Sequence, residues 1–333
     1  GKWHLGSRDE QHPNNRGFDL FYGMKAGGRD YFYNEKKSDR PGDERNLLLN
    51  DRQVKFEKYL TDAFSEKAVE FINESSQPFM MYLAYNAVHT PMQATDEDMA
   101  KFEGHPRQKL AAMTYALDRG VGTVIRGLKD SGKFDNTLIF FLSDNGGATT
   151  NQSSNYPLKG FKGNKFEGGH RVPYFVVWKN GIPAGKPYDG LVSSLDIFAT
   201  AIDAASISKT RNRLDGVSLL PYLKGKKGEP HKVLYWRKMD TRAIRSGDYK
   251  LIITHGVDSV LYNIRRDPEE MNNLINKEPD LYRKLAKKLA KWEKNECIEP
   301  SWLEEGWRKI TNRYHQQLMH NEIKTAQDLY KRK

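Results

Sequence analysis

Four short stretches hold side chains whose types and spacing could do chemistry. Lys2 and His4 stand two apart in GKWHLG, between two glycines. His89 follows an apolar run in NAVHTP, and Asp144 and Asn145 follow another in SDNGG. The fourth stretch, LKGFKGNKFEGGHRVP, sets Lys159, Lys162, Lys165, His170 and Arg171 among glycines. An adjacent Asp and Asn offer hard oxygens suited to Ca²⁺ or Mg²⁺. Glycines let a backbone approach an anion closely, and lysines supply the charge to hold it. The fourth stretch does not fit the Walker pattern, which needs Gly-Lys followed by Ser or Thr. Taken singly, each stretch has a plainer reading: an Asx-turn for SDNGG, a solvated basic loop for the lysines. Together they give two imidazoles, two amines and an oxygen pair, a set suited to a tetrahedral oxyester held by cations and a divalent metal.

The elements that must position these residues follow from apolar periodicity. Leu60, Phe64, Ala68 and Phe71 are spaced as on a helix over 59–73. PFMMYLAY, bounded by Pro78 and Asn86, reads as a buried strand that delivers His89. Leu110, Met113, Leu117, Val121, Val124 and Leu128 predict a second helix, stopped at Gly132. TLIFFL predicts a buried strand opening into the Asp144 loop, and VPYFVVW a further strand. SSLDIFATAIDAAS predicts a helix capped by Ser193 or Ser194. Ligands of such sheets sit beyond the carboxyl ends of the strands, where His89 and Asp144 fall.

The expected fold class is therefore α/β, a large and mostly parallel sheet sandwiched by helices. Residues 7–55, rich in Gly, Asn, Asp and Arg, read as long loops. Past residue 224 the texture changes. TRAIRSGDYKLIITHGVDSVLYNI predicts two or three short antiparallel strands with turns at SGD and HGVD. A basic helix with Leu281, Leu285, Leu289 and Trp292 on one face follows. These shifts divide the chain into an α/β part over 1–223 and a small α+β part with a basic tail over 224–333.

The 333 residues carry a net charge of +11, of which +2 lies in 1–223 and +9 in 224–333. The tail favours polyanions, a sulfated or carboxylated glycan before nucleic acid, since no module of basic and stacking aromatic residues is present. No run of 18 apolar residues predicts a membrane span. The single Cys297 forms no internal disulfide. Asn73 and Asn151 fit the glycosylation pattern.

GKWHLG, HTP, FFLSDNGG, LKGFKGNKFEGGHRVP and SSLDIFATAIDAA, in this order, resemble the type I sulfatases of the alkaline-phosphatase superfamily. The stretch from TRAIRSGDYKLI to LYNIRRDPEEMNNL resembles the C-terminal end of that family. The resemblance implies a sulfuric ester hydrolase acting on a sulfated carbohydrate, in a periplasmic, secreted or lysosomal setting. It implies that Lys2 contacts nucleophile and sulfate, His4 is a base toward the nucleophile, His89 protonates the departing alcohol, and Lys162 binds a sulfate oxygen. Asp144 and Asn145 would form half of a Ca²⁺ site. His170, Arg171 and Tyr156 are further candidates for contact with the glycan.

The family's nucleophile is a formylglycine, made from a Cys or Ser in a motif that lies ahead of the Gly-Lys-x-His stretch. Cys297 does not match it, with Pro one place too late and Trp where Arg is needed. The expectation is an N-terminally truncated sulfatase chain, inactive by itself. Two rivals stand beside it: a phosphodiesterase or phosphonate hydrolase of the same superfamily, which usually holds two transition metals, and a non-catalytic polyanion-binding protein. Oligomeric state is not legible.

Overall fold

The computed structural model describes residues 1–207, 213–297 and 305–330. Parts of the basic tail, 298–304 and 331–333, lie outside the described residues. The chain forms two compact units, Gly1–Asp135 and Asn136–Lys333.

In the first unit, α1 (Leu60–Glu74) buries Leu60, Phe64, Ala68 and Ile72, close to the predicted stripe. It packs on the longer α3 (Gln108–Asp130), which buries Ala112, Met113, Ala116 and Gly120. Small residues set this approach: a Cβ at Gly120 would lie 2.6 Å from Ser65 Oγ, and one at Gly127 2.9 Å from Val69. The short α2 (Asp96–Ala100) is capped by Thr95, whose hydroxyl accepts the Asp98 amide at 3.1 Å. Arg119 of α3 ties it to α1 through Asp98 (2.5 Å) and Asp62 (2.9 Å). Gly132, at φ 71°, follows α3 as predicted. Tyr31, Leu47, Phe56 and Tyr59 close the core over Leu60, Phe64 and Met113.

The region expected to be only loop also holds a small antiparallel sheet of β1 (Tyr22–Gly23), β2 (Leu48–Leu49) and β3 (Arg52–Gln53). Residues 79–85, expected as a buried strand, lie outside any ladder of the described residues. Their apolar run is only half buried: Met80 and Tyr82 are exposed. Where parallel pairing was expected, the described residues show one isolated parallel bridge, Lys2 with Met24, and antiparallel ladders elsewhere.

In the second unit, β4 (Ile139–Leu142) and β5 (Tyr174–Val177) pair antiparallel, Ile139 opposite Val177 and Leu142 opposite Tyr174. β4 was expected buried, yet Phe141 is exposed, as are Phe175 and Val177 of β5. The helix α5 (Asp196–Ala204) starts differently from prediction. No serine side chain caps it; the buried Asp196 carboxylate instead accepts the amides of Ser193 (2.7 Å) and Val217 (2.9 Å), with His231 Nε2 at 2.7 Å. A single helical turn, α6 (Leu220–Leu223), follows.

The C-terminal sheet is a four-stranded antiparallel meander: β6 (Val233–Lys238), β7 (Thr241–Ser246), β8 (Tyr249–Thr254) and β9 (Asp258–Asn263). The period of two along a strand sorts its side chains between two cores. Ile244, Leu251 and Leu261 face α7 (Pro279–Glu296) with its buried Leu285 and Leu289, as the apolar stripe predicts. Ala243, Ile252, Val260 and Tyr262 belong to the other core, with Leu318 and Met319 of α8 (Glu305–Met319). Phe161 and Phe166 of the glycine- and lysine-rich stretch join that second core. This is why the division expected at 223/224 falls inside one unit: the basic loop is built onto the C-terminal sheet.

Candidate active site

Two loci carry the predicted residues, one in each unit. In the first unit, residues 1–4 run alongside residues 22–25. Lys2 donates its amide to the Ala84 carbonyl at 2.7 Å, Trp3 to Met24 at 2.9 Å and His4 to Lys25 at 3.0 Å. His4 has φ 51°, the left-handed region, which a non-glycine residue adopts at a cost of about 1 kcal/mol. Strain of this kind is concentrated at functional sites.

Two glycines that the sequence reading passed over complete this locus. A Cβ at Gly27 would sit 2.6 Å from the His4 ring, and a Cβ at Gly28 3.2 Å from His89 Nδ1. Consecutive glycines thus lay one backbone against both imidazoles and bring His4 and His89 to one loop. Their anchor is the next residue. Arg29 is buried, donates from Nη2 to both Asp39 oxygens at 2.8 Å, and lies 4.6 Å over the Phe56 ring. The signal was in the sequence as AGGRD, but nothing local says what a bare backbone is cleared for.

His89 is held in one orientation. Its Nδ1 lies 2.8 Å from the Thr90 carbonyl, which can only accept, so Nδ1 carries a proton and Nε2 is left for chemistry. The buried Tyr31 hydroxyl donates toward the carbonyls of His89 (2.9 Å) and Asn86 (2.8 Å), fixing the loop from beneath. Tyr31 is in turn stacked on Tyr59 at 5.3 Å.

In the second unit the loop after β4 is stitched to the basic stretch by main chain. Gly146 donates to the Gly169 carbonyl (3.1 Å), and Lys162 to the Gly147 carbonyl (3.0 Å). Asn155 bridges them, accepting from the Gly147 amide at 2.7 Å and donating to the Gly160 carbonyl at 3.0 Å. A Cβ at Gly146 would lie 1.8 Å from the Gly168 carbonyl oxygen, so only glycine allows this contact. Asp144 and Asn145 therefore share a locus with Lys162. The Asn145 amide nitrogen donates to the Gly146 carbonyl at 3.0 Å, which leaves the amide oxygen as an acceptor. Asp144 with Asn145 fits a hard cation in kind but not in number, since Ca²⁺ takes six to eight oxygens. Among the described residues, no group of three or more His, Cys, Asp or Glu side chains could hold a metal ion.

The five basic candidates of the fourth stretch part company. Lys162 is exposed. Lys159 is fully buried, bonded to the Glu270 carbonyl (3.0 Å) and Asn321 Oδ1 (2.5 Å), and burial brings its pKa down to about 8; it is a core strut. His170, expected at the substrate, stacks on Trp236 at 4.5 Å, with Nε2 3.0 Å from Lys250 Nζ. Burial, then the Lys250 ammonium, lower its pKa to about 3, so it offers no positive charge to an anion. Arg171 keeps an exposed guanidinium 3.7 Å from Glu167. Tyr156 is also exposed. Asn151 is buried, which speaks against a glycan there.

The chain is similar along its length to known proteins. The sulfatase family model matches residues 1–207, and that of the N-sulphoglucosamine sulphohydrolase C-terminal region matches residues 162–295. The uncharacterized sulfatase YdeN of Escherichia coli K12 is 38% identical over 240 residues, 69% of this chain and 41% of its own length. The N-acetylgalactosamine-6-sulfatase of Canis lupus familiaris is 31% identical over 265 residues, 75% of this chain and 50% of its own. The chain spans about half the length of the curated relatives it matches. The crystal structure of Ps i-CgsB in complex with k-i-k-neocarrahexaose superposes with a TM-score of 0.84 at 36% identity, covering 94% of this chain and 74% of that one. No helix among the described residues is long and apolar enough to cross a membrane. With the family model matched over well more than half its residues and an α/β sulfatase fold, the chain belongs to the sulfatase family.

Proposed function

We propose that this chain carries proton-transfer and sulfate-binding residues for hydrolysis of a sulfate ester on a sulfated carbohydrate. The observation that carries this reading is the Gly27–Gly28 backbone lying against the His4 and His89 rings, with His89 Nδ1 committed to the Thr90 carbonyl. An imidazolium held that way has one proton to give, at Nε2. A sugar alkoxide is a poor leaving group and needs that proton as the ester bond breaks. Lys2 and Lys162 are each suited to offset negative charge on a sulfuryl oxygen. His4 takes a proton from the nucleophile's hydroxyl when sulfate leaves. Arg171 and Tyr156 contact the glycan, whereas His170 serves the fold.

In this reading the nucleophile is a formylglycine, which supplies the hydroxyl that attacks sulfur. Asp144 and Asn145 would contribute two oxygens to a Ca²⁺ ion, which would draw charge from a sulfate oxygen. No residue given a role above is the nucleophile, so the 333-residue polypeptide by itself should not turn over an activated aryl sulfate with Ca²⁺. Measurable sulfate release would contradict that. The name of one relative, N-acetylgalactosamine-6-sulfatase, supports a sulfated sugar as substrate, and a periplasmic, secreted or lysosomal setting belongs to the same reading.

The test of the acid role compares leaving groups in the protein that carries the formylglycine. His89→Ala should slow hydrolysis of an alkyl sulfate roughly 10²–10⁴-fold. It should slow nitrophenyl sulfate far less, because nitrophenolate leaves without a proton. Equal losses on both substrates would remove His89 from that role.

A further inference from the structure

The second unit holds four lysines besides Lys162 around the glycine-rich stretch, and the fold treats them in two ways. Lys159 and Lys250 are fully buried and fully engaged. Lys250 lies 2.8 Å from Glu167 and 3.0 Å from Glu270, and Lys159 has the two oxygens described above. Lys165 and Lys238 are half-buried, and among the described residues neither has an ion pair. They lie close to one another and to Lys162. A Cβ at Gly163 would sit 3.2 Å from Lys238 Nζ, which puts that ammonium against the residue after Lys162. Burial, then the charges of Lys238 and Lys250, bring Lys165 down to about 8, and burial with Lys162 lowers Lys238.

The same place holds a buried imidazole. His315 of α8 is fully buried and feels both Lys165 and Lys238. Its Nδ1 is 2.9 Å from the Thr311 carbonyl, and its Nε2 has no hydrogen-bond partner. Grouped ammoniums without counter-charge cost stability that a structural role does not repay, and the neutral His315, whose free Nε2 can only accept, supplies no negative charge to offset them. An anion removes the repulsion.

We propose that Lys165 and Lys238, next to Lys162, form a second anion subsite, so that the preferred substrate carries a further negatively charged group beside the ester that is cleaved. The inference rests on the ester-hydrolase reading for its substrate and deepens it. Lys162 engages the scissile sulfate; Lys165 and Lys238 engage the neighbouring charge. Three cations spread along one loop and one strand suit a densely charged glycan better than a sparsely charged one.

The experiment is calorimetric titration of the 333-residue chain with three disaccharides: a monosulfate, the same sugar with a second sulfate, and the monosulfate carrying a uronate carboxylate. The wild-type chain should bind at least one doubly charged probe about tenfold more tightly than the monosulfate, and the tighter one names the group. Lys165→Gln and Lys238→Gln should each erase most of that ratio while leaving monosulfate affinity within about twofold. Lys238→Arg should restore it, which a packing role alone would not produce. A wild-type ratio near one, or a ratio unchanged in both glutamine variants, overturns the proposal. Nitrophenyl sulfate hydrolysis by the protein carrying the formylglycine, measured alongside, reads the ester-cleavage assignment separately.

Discussion

The locus of the first unit and that of the second are built by opposite means. Around His4 and His89 the fold removes side chains and fixes orientation. Gly27 and Gly28 leave bare backbone, Tyr31 pins the loop carbonyls, and a buried Arg29–Asp39 ion pair anchors the whole. Around Lys162 it joins main chain to main chain and lets charged side chains reach outward. In the proposed reading the contrast follows from what each group must do. Proton transfer needs one nitrogen on one line. Charge stabilisation falls off slowly with distance, so a long flexible lysine on a firm loop is enough. The first locus should therefore be sensitive to changes in its supports, and the second to changes in its charges.

The largest effect that would break this contrast is on stability. Asp39→Ala leaves a buried guanidinium uncompensated and should cost about 3–5 kcal/mol in urea unfolding. A loss under about 1 kcal/mol would mean the ion pair does not anchor the loop. Next is Lys162→Ala in the protein carrying the formylglycine. Turnover should fall roughly 10²–10³-fold while the melting temperature moves little, because the side chain is exposed. An unchanged rate would take Lys162 out of the site. Gly27→Ala sharpens the comparison from the other side. The added methyl meets the His4 ring, and turnover should fall about 100-fold with the charge unaltered. A control Gly306→Ala in α8, where no atom lies within 4 Å, should leave turnover unchanged.

The smallest effect is on pH dependence. His315 is held neutral, its pKa lowered by burial to about 4 against 6.5 in the unfolded chain. As pH falls the unfolded chain takes up the proton first. This contribution to stability is complete above pH 6.5 and is lost as pH drops toward 4, at about 1.4 kcal/mol per pH unit or less. Burial pushes Glu270 the other way, up to about 7. The useful quantity is therefore the difference between wild type and His315→Gln. Between pH 6.5 and 4.5 the variant should lose stability less steeply than wild type. Parallel curves would show that His315 titrates normally.

Much of the secondary structure was written in local pattern. The α1 and α3 stripes, the stop at Gly132, the edges of β4 and β5 and the apolar face of α7 all follow from spacing that any isolated segment would show. So did the identity of the chemical groups, since side-chain type alone makes a carboxylate a cation ligand and a lysine an anion ligand. What the sequence could not settle is which of several like residues has its charge already spent. Lys159, Lys162, Lys165 and His170 stand within twelve residues, and only the folded environment divides them. Glu270 and Asn321, over a hundred residues away, claim Lys159 for the core, and Trp236 with Lys250 claims His170. Burial, like charge and hydrogen-bond partners are properties of distant segments brought together, so they set proton affinity and availability only once the chain has folded. The same holds for Gly27 and Gly28: their lack of a side chain is plain in the sequence, and its purpose appears only where two imidazoles fill the space.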